Sequence, residues 1–521
     1  MELIRENIVL SGHIGSARSQ VLLEGDIIVP DIRPDIASVL SVSARTNISK
    51  VVLNAGRILF SGRLNVDVIY LAASGEVQVH SLTAQVPVDD FLNVDGAMPA
   101  MWVDLDATLA NVEHSIVNDR KLNFRVVVDV RASVWQNQNL EAVRRIEGIA
   151  DSQQKTACFA LHNTLTKQME QFTIRNEVII PPNRPAVQDI LTVGINIISR
   201  EVNLAAGRID LSGDLIIRPL YKGDAGDSMV EIVEFELPFS GSLDIASAHE
   251  AGMADVVLSV ADQLVEVMPD AEGTNRVMSI EVVINADVKI SESKEIEILE
   301  DAYCLEQNLN METKSVEYCG VICKNKNQFN MKENVKPIGT AEVLQVLAVH
   351  GIAHVEECKV VEDKVVVEGM VEADILYLAN CDEKPMHSYR AHLPFRQVIE
   401  TKGARVGMVA KIRHSLDHIA FNMQGQNEVE LRLSISFDTT VQEEKTLHFI
   451  HDIEFSPLDL ALIDSLPSMV IMSAGQSDSL WSVAKRYNAD LNELTQINEL
   501  DPGAPLTQGQ KLLIVKKVAQ V

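Results

Sequence analysis

Hydrophobic and polar residues alternate along much of the chain. From Ile58 to Tyr70 every second position is apolar, apart from a glycine at position 62, while the positions between them are mostly polar. Such alternation is typical of a β-strand with one buried and one solvated face. Strands of this kind form antiparallel sheets that pack face to face. The pattern therefore predicts a mainly β chain built from antiparallel β-sandwich-like domains.

The same alternating run occurs three times. "LNAGRILFSGRLNVDVIYL" begins at Leu53, "LAAGRIDLSGDLIIRPLYK" at Leu204 and "VVEDKVVVEGMVEADILYL" at Val360. In each copy a Gly or Asp precedes the central Gly by six positions, a Tyr follows it by eight, and a Pro follows that Tyr by 17. These residues are Gly56, Gly62, Tyr70 and Pro87; Gly207, Gly213, Tyr221 and Pro238; and Asp363, Gly369, Tyr377 and Pro394. A period of roughly 150 residues indicates duplicated domains rather than a short solenoid repeat.

Other features recur with each copy. A basic residue followed by Pro precedes the run at 33–34, 184–185 and 336–337, and a second alternating run begins at Leu122, Met278 and Val429. The central Gly predicts a bulge or bend in a long strand, because it has no side chain to pack. Pro219 lacks a backbone N–H and predicts a sheet edge at that point of the second copy.

The three copies are expected to be separate domains joined by linkers. The predicted domains span residues 1–140, 166–293 and 313–448, and a fourth, smaller domain spans 467–521. The predicted linkers are a helical segment at 141–165, an acidic segment at 294–312 and a third segment at 449–466.

Charge and composition narrow the function classes. The formal net charge of −29 disfavours binding to nucleic acid or to anionic lipid, because both are negatively charged. No run of 18 apolar residues is present to span a membrane. The N-terminus lacks a basic segment followed by an apolar core, so we expect no secretory signal and a cytoplasmic location. Six scattered cysteines fit reduced thiols better than a disulfide framework.

The C-terminal segment has helical rather than alternating periodicity. Apolar residues from Leu480 to Tyr487 recur at the spacing of one helix face. A polar residue at Ser477, Asp478 or Ser479 can cap this helix, and Asn488 can adopt the left-handed conformation that ends it. A second short helix and the flanking strands "MVIM" and "KLLIV" complete a predicted βααβ domain.

Motifs for covalent chemistry are not found in the sequence. It contains no P-loop, no G-x-G-x-x-G after a strand and no G-x-S-x-G elbow. Two H-x-x-x-H spacings, His350/His354 and His414/His418, would share a metal only on a helix, and their surroundings predict strand and loop. A lone C-x-x-x-C at 319–323 is more consistent with structural thiols than with a metal or redox site. We therefore predict no enzymatic activity, no cofactor and no metal site.

The repeated unit resembles the SPOCS domain. The resemblance rests on the basic-Pro pair, the G-x5-G-x7-Y core and the later Pro, and it covers nearly all of residues 1–447. The third copy departs from the pattern, since Asp363 replaces the first Gly.

The C-terminal segment resembles a LysM domain over residues 467–515, through "SDSLWSVAKRYN", "INEL" and "QGQKLLIV". In that family N-acetylated glycans, such as peptidoglycan or chitin-like chains, lie in a shallow groove between two loops. The resemblance places these loops at Gly475–Leu480 and Leu500–Gln508. The implied groove residues, for a glycan or a partner, are Gly475, Gln476, Ser477, Asp478, Ser479, Leu480, Leu500, Asp501, Pro502, Gly503 and Leu506. Ser477 replaces a Gly usual in the family, and Trp481 either stacks on a sugar or covers the small core.

SPOCS-like units followed by LysM resemble the architecture of SipL-type spore coat morphogenetic proteins. The resemblance implies a non-enzymatic scaffold on the mother-cell side of the forespore surface. Its implied partner is the coat basement-layer ATPase SpoIVA, or a protein like it, bound through the SPOCS and LysM modules. The alternative is a cell-wall protein whose LysM domain binds peptidoglycan.

Overall fold

The structure is a computed structural model, and strands dominate it. It describes residues 2–73, 79–149, 151–224, 230–337, 342–380, 386–425, 427–457, 467, 469–501 and 505–515. The described part contains two helices, both near the C-terminal end, and every paired strand runs antiparallel to its neighbour. The predicted fold class, β-sandwich-like domains followed by a small βααβ domain, is confirmed.

The first repeat consists of two antiparallel sheets that pack around one core. Its strands are β1 (Glu2–Ile28), β2 (Ile36–Asn54), β3 (Arg57–Ala72), β4 (Val79–Asn93), β5 (Trp102–Asn118) and β6 (Lys121–Glu147). One sheet has the order β1-β6-β5 and the other β2-β3-β4. Val66 on β3 and Val126 on β6 are both fully buried in the core between the sheets.

The second and third repeats have the same arrangement. The strands of the second are β7 (Ser152–Ile179), β8 (Val187–Ala205), β9 (Arg208–Gly223), β10 (Val230–Ile232), β11 (Phe235–Asp244), β12 (Met253–Pro269) and β13 (Asn275–Cys304). Those of the third are β14 (Gln307–Val335), β15 (Val343–Val361), β16 (Lys364–Ala379), β17 (Met386–Glu400), β18 (Val409–Gln424) and β19 (Glu428–Pro457). In the second repeat β13, its last and longest strand, is central in one sheet and β9 is central in the other. In the third repeat β19 and β16 hold these two places.

The C-terminal module has the predicted βααβ order. Its elements are β20 (Met469–Ser473), α1 (Leu480–Arg486), α2 (Leu491–Ile497) and β21 (Lys511–Val515). β20 and β21 form a two-stranded antiparallel sheet, and the apolar faces of both helices pack on it.

Pro219 lies in the interior of its sheet, so the predicted edge is wrong. On one side of β9, Pro219 pairs with Val193 of β8. On the other side the partner strand is divided, because β10 ends at Ile232 and β11 begins only at Phe235. The proline therefore falls at a break in the ladder, where its missing N–H is tolerated.

The helical linker predicted over 141–165 is also wrong. Strand β6 continues to Glu147 and β7 begins at Ser152. Both segments are paired along their length, with Glu147 opposite Glu2 and Ser152 opposite Cys304. Long-range strand pairing thus overrides the local sequence preference for helix.

The other two predicted linkers also contain strands. The acidic segment 294–312 comprises the end of β13 and the start of β14. The segment 449–466 belongs to β19 as far as Pro457. Residues 458–466 lie outside the described residues.

The central Gly of the repeats lies beside a bulge in the neighbouring strand. The register between β2 and β3 shifts between Ile48 and Lys50, next to Gly62. A Cβ atom on Gly62 would lie 2.1 Å from the backbone oxygen of Asn47, and one on Gly369 would lie 2.1 Å from that of His354. The glycine is required because the backbone of the bulged strand approaches too closely for any side chain.

The three repeats surround a pseudo-threefold axis. One buried apolar cluster takes three equivalent positions from each repeat: Leu40, Leu191 and Leu347; Ile69, Leu220 and Leu376; and Val79, Val230 and Met386. Each set lies at a constant offset from Tyr70, Tyr221 and Tyr377. The cluster explains why Ile69, on the face of β3 that the alternation assigns to solvent, is buried.

The long outer strands of each repeat continue around the same axis. Further apolar clusters again draw on equivalent positions: Leu140, Ile296 and Leu447; Ala142, Ile298 and Phe449; Val143, Leu299 and Ile450; and Ile146, Ala302 and Ile453. The three sandwiches therefore pack against one another along a shared apolar axis and are not independent domains on flexible linkers.

Candidate functional site

The first predicted groove loop leads into a reciprocally capped helix. Ser479 Oγ accepts the backbone N–H of Ser482 at 3.1 Å, and Ser482 Oγ accepts the N–H of Ser479 at 2.9 Å. Of the three capping candidates, Ser479 is the one used. The α1 helix is followed by Asn488 with a φ of 51°, the left-handed conformation expected there.

Asp478 holds the loop in one conformation. Its carboxylate accepts the backbone N–H of Gly475 at 2.9 Å and an Arg486 N–H at 2.8 Å. These hydrogen bonds, led by that from Gly475, lower the pKa of Asp478. Gly475, Gln476, Ser477 and Ser479 are exposed. Ser477 does not have a positive φ, so the serine adopts this loop without the strain that would require a glycine.

The second predicted loop is less fully described. Leu480 of the first loop is buried in the hydrophobic core of the module, and Leu500 and Leu506 pack against that core while staying partly exposed. Asp501 is exposed. Pro502 and Gly503 lie outside the described residues. Among the described residues, the exposed groove positions are therefore Gly475, Gln476, Ser477 and Ser479 of the first loop and Asp501 of the second.

Trp481 lies against the SPOCS-like body. Its indole N–H donates to Asp301 Oδ2 at 2.8 Å, and its ring meets the Tyr303 ring edge-on at a centroid distance of 5.2 Å. Lys485 Nζ donates to the other oxygen of Asp301 at 2.5 Å. The N–H of Trp481 and one edge of its ring are therefore occupied by the end of β13.

Further contacts fix the module on the body. Tyr303 is 6% exposed and belongs to the hydrophobic core of the module, and its hydroxyl donates to the carbonyl oxygen of Ala489 at 2.8 Å. Burial, followed by the charges of Asp490 and Asp301, raises the pKa of Tyr303. Asn488 donates to the carbonyl oxygen of Leu305 at 3.0 Å. The C-terminal module is thus docked through Trp481 and the α1–α2 turn, while the 475–479 loop stays accessible.

Sequence reasoning missed this contact. Asp301 and Tyr303 lie in the segment that the sequence assigned to an acidic linker, "SESKEIEILEDAYCLEQNLNMET". The available signal was the apolar "AYCL" within that acidic run, which is unusual for a solvated linker.

The histidine pairs lie on strands and make ordinary polar contacts. His350 and His354 are on β15, and His414 and His418 are on β18. His414 Nε2 lies 2.8 Å from the carbonyl oxygen of Ala353, and His418 Nδ1 lies 3.0 Å from an Arg218 nitrogen. Within the described residues, no group of three or more His, Cys, Asp or Glu side chains is placed to hold a metal ion.

Comparison with protein families agrees with this arrangement. A model of the SipL SPOCS domain matches residues 35–117, 186–268 and 342–424, and a model of the LysM domain matches residues 475–515. The chain belongs to the SipL-like SPOCS–LysM proteins. No curated protein and no solved structure matches it.

The family assignment sets the class of function. SPOCS and LysM domains are non-catalytic binding modules, and a SipL-like chain is sporulation-related and carries a module of the peptidoglycan-binding type. In this SipL-like chain the SPOCS matches cover β2–β5, β8–β12 and β15–β18. They leave out the long strands that form much of the axis and carry the LysM contact. Among the described residues, no helix is both long and apolar enough to cross a membrane.

Proposed function

We propose that this chain is a non-enzymatic scaffold of endospore coat assembly. In this proposal it works on the mother-cell side of the forespore surface and docks on a SpoIVA-like basement-layer ATPase through its SPOCS and LysM modules. The observation that carries the proposal is the hydrogen-bonded contact between LysM and the SPOCS body around Asp301. Because the two modules are held in one orientation, they offer a partner a combined surface. Once the partner binds one module, its effective concentration at the other module is raised.

A pull-down with the purified ATPase tests the proposal. We expect the full chain to retain the ATPase and Asp301→Asn to retain several-fold less, because the change removes the charge that pairs with Lys485. Glu306→Gln is the matched control, since Glu306 is an exposed carboxylate in the turn between β13 and β14. No retention by the wild-type chain overturns the proposal. Equal retention by both variants overturns only the claim that LysM and SPOCS bind the ATPase through a combined surface.

Localisation provides an independent test. A fluorescently tagged chain should form a shell around the forespore during sporulation. Signal in the cell wall or in the medium would contradict the scaffold and favour the second candidate.

The second candidate is a peptidoglycan-binding protein. The accessible, Asp478-held loop at residues 475–479 supports it. If this loop binds glycan, Ser477→Arg should abolish co-sedimentation of the chain with purified peptidoglycan. Gln496→Arg, an exposed position on α2 outside both loops, should leave it unchanged. Absence of co-sedimentation by the wild-type chain rules this candidate out.

A further inference from the structure

A cavity of about 110 Å³ lies where the three repeats meet. Its lining includes Trp102 and Trp135 of the first repeat, Lys289 of the second, and Lys411 and Arg413 of the third. A buried water needs roughly 10–15 Å³ by the same measure, so the cavity can hold an occupant larger than one water molecule. The exposed residues Lys411 and Arg413 connect it to solvent.

The pseudo-threefold symmetry is broken at this cavity. The apolar clusters of the axis carry similar residues at equivalent positions of all three repeats. Around the cavity the equivalent positions differ: Trp102, Met253 and Val409; Asp104, Asp255 and Lys411; Ser133, Lys289 and Thr440; and Trp135, Ser291 and Gln442. Packing of three similar sandwiches does not require different residues at these equivalent positions. The difference therefore indicates that this level of the axis has a function other than packing.

Two tryptophans of the lining have indole N–H groups without an acceptor among the described residues. Trp102 Nε1 and Trp135 Nε1 are buried and make no hydrogen bond with any described residue. The two rings are stacked, with centroids 5.6 Å apart. A buried N–H group left unpaired is unfavourable, so a small turn of either ring towards an acceptor in the cavity would stabilise the site.

Two ammonium groups lie beside these rings. Lys289 Nζ is 4.2 Å from the ring centroid of Trp102, and Lys411 Nζ is 4.5 Å from that of Trp135. Lys289 Nζ forms a long ion pair with Asp104 at 3.8 Å, and Asp255 lies opposite Lys289 on the neighbouring strand. Lys411 makes no ion pair in the part of the chain that the structure describes. The two tryptophans and the two lysines come from all three repeats and line the cavity.

Two carboxylates of the lining already form ion pairs. Asp104 pairs with Lys167 at 2.5 Å, and Asp255 pairs with Arg413 at 2.9 Å. The charged lining residues are the cations Lys289, Lys324, Lys411 and Arg413 and the anions Asp104, Asp255 and Asp438. The lining therefore has a net positive charge, although the whole chain carries −29.

We propose that this cavity binds a small tetrahedral oxyanion with the chemistry of phosphate or sulfate, held by the two ammonium groups and the two indole N–H groups. Its oxygens would accept from donors on every repeat and would fix the three sandwiches relative to one another. The site is independent of the scaffold function proposed above.

Tryptophan fluorescence provides a direct test on the full chain. The chain has three tryptophans, and two of them line the cavity. Titration with inorganic phosphate at constant ionic strength should change the emission in a saturable way, and dialysis against radiolabelled phosphate should give one bound ion per chain. Lys411→Gln should weaken binding at least tenfold without impairing folding, since Lys411 makes no ion pair among the described residues.

Lys402→Gln is the matched control. Lys402 is an exposed lysine of the same repeat and does not line the cavity, so its change should alter affinity less than twofold. Equal weakening by both variants, or no saturable response to phosphate or sulfate, overturns the proposal. Tighter binding of acetate than of phosphate overturns the assignment to a tetrahedral ion.

Discussion

Single residues show two different reasons for glycine within one repeat. Gly56 has a φ of +74° and open space around the position of a Cβ atom, so its requirement is conformational. Asp363 fills the equivalent position of the third repeat with a φ of 56°, and its side chain accepts the backbone N–H of Gly403 at 2.7 Å. Gly62 instead has no room for a side chain, because the Asn47 backbone oxygen lies in the way.

These two reasons predict losses of stability of different size when each glycine is replaced. Gly62→Ala should lower the free energy of unfolding by about 1–3 kcal/mol, since the bulged strand must move away. Gly56→Asp should change it by less than about 1 kcal/mol, because aspartate can hydrogen-bond locally in the left-handed conformation. Urea denaturation followed by circular dichroism measures both. A larger loss for Gly56→Asp than for Gly62→Ala would contradict the steric explanation.

At the same scale of single residues, Lys289 should make the stability of the chain depend on pH. Burial lowers its pKa to about 8, against 10.5 for an unperturbed lysine. The cations Lys411 and Lys167 lower the pKa further, while the carboxylates of Asp104 and Asp255 partly oppose the shift. The folded state therefore binds fewer protons than the unfolded state between these pH values. The contribution of this group to stability should rise from pH 8 to pH 10.5, by up to about 3 kcal/mol.

The measurement compares the wild-type chain with Lys289→Met. The difference in unfolding free energy between the two should change in favour of the wild type as the pH rises from 8 to 10. Bound phosphate should reduce this change, because an anion stabilises the charged lysine. A difference that stays constant over this range would show that the pKa of Lys289 is not lowered.

Individual elements were predictable where the information is local. Alternation in "ILFSGRLNVDVIY" is sufficient to predict β3 and its buried face, and the polar run before Leu480 narrows the cap of α1 to Ser477, Asp478 or Ser479. The second buried face at Ile69 was not predictable, because it depends on contacts with the other two repeats. The LysM contact at Asp301 escaped prediction for the same reason, since its two sides are separated by some 180 residues. The groove residues 475–479 follow from family resemblance, and their ligand stays a prediction.

Strand β13 supplies Tyr303 to the hydrophobic core of the LysM module. Tyr303→Phe should destabilise the LysM transition by about 1 kcal/mol, because the Ala489 carbonyl loses its hydrogen bond. Tyr303→Ala should cost about 3–5 kcal/mol, because it also removes the ring from the LysM core. Chemical denaturation followed by the emission of Trp481, in a chain with the other two tryptophans changed to Phe, measures both. Tyr318→Phe, on β14 away from LysM, should have no effect, and a similar shift in that variant would contradict the assignment.

At the scale of the whole molecule, the apolar axis determines whether the repeats unfold together. Leu220 is 1% exposed, and its cluster contains residues of all three repeats. A charge placed there has no partner among the apolar side chains around it. Leu220→Asp should therefore cost about 3–5 kcal/mol. Because the cluster is shared, the loss should reach every repeat and not only the second.

Hydrogen exchange resolves this prediction repeat by repeat. In Leu220→Asp, backbone amides of β3 and β16 should lose protection together with those of β9, since all three strands contribute to the cluster. Leu264→Asp is the matched control, because Leu264 is 55% exposed in the same repeat and its replacement should leave exchange unchanged. Faster exchange confined to the second repeat would mean that the sandwiches are stable independently. In that case the axis would only join three domains, whereas a loss spread over all three would show that it makes them one cooperative unit.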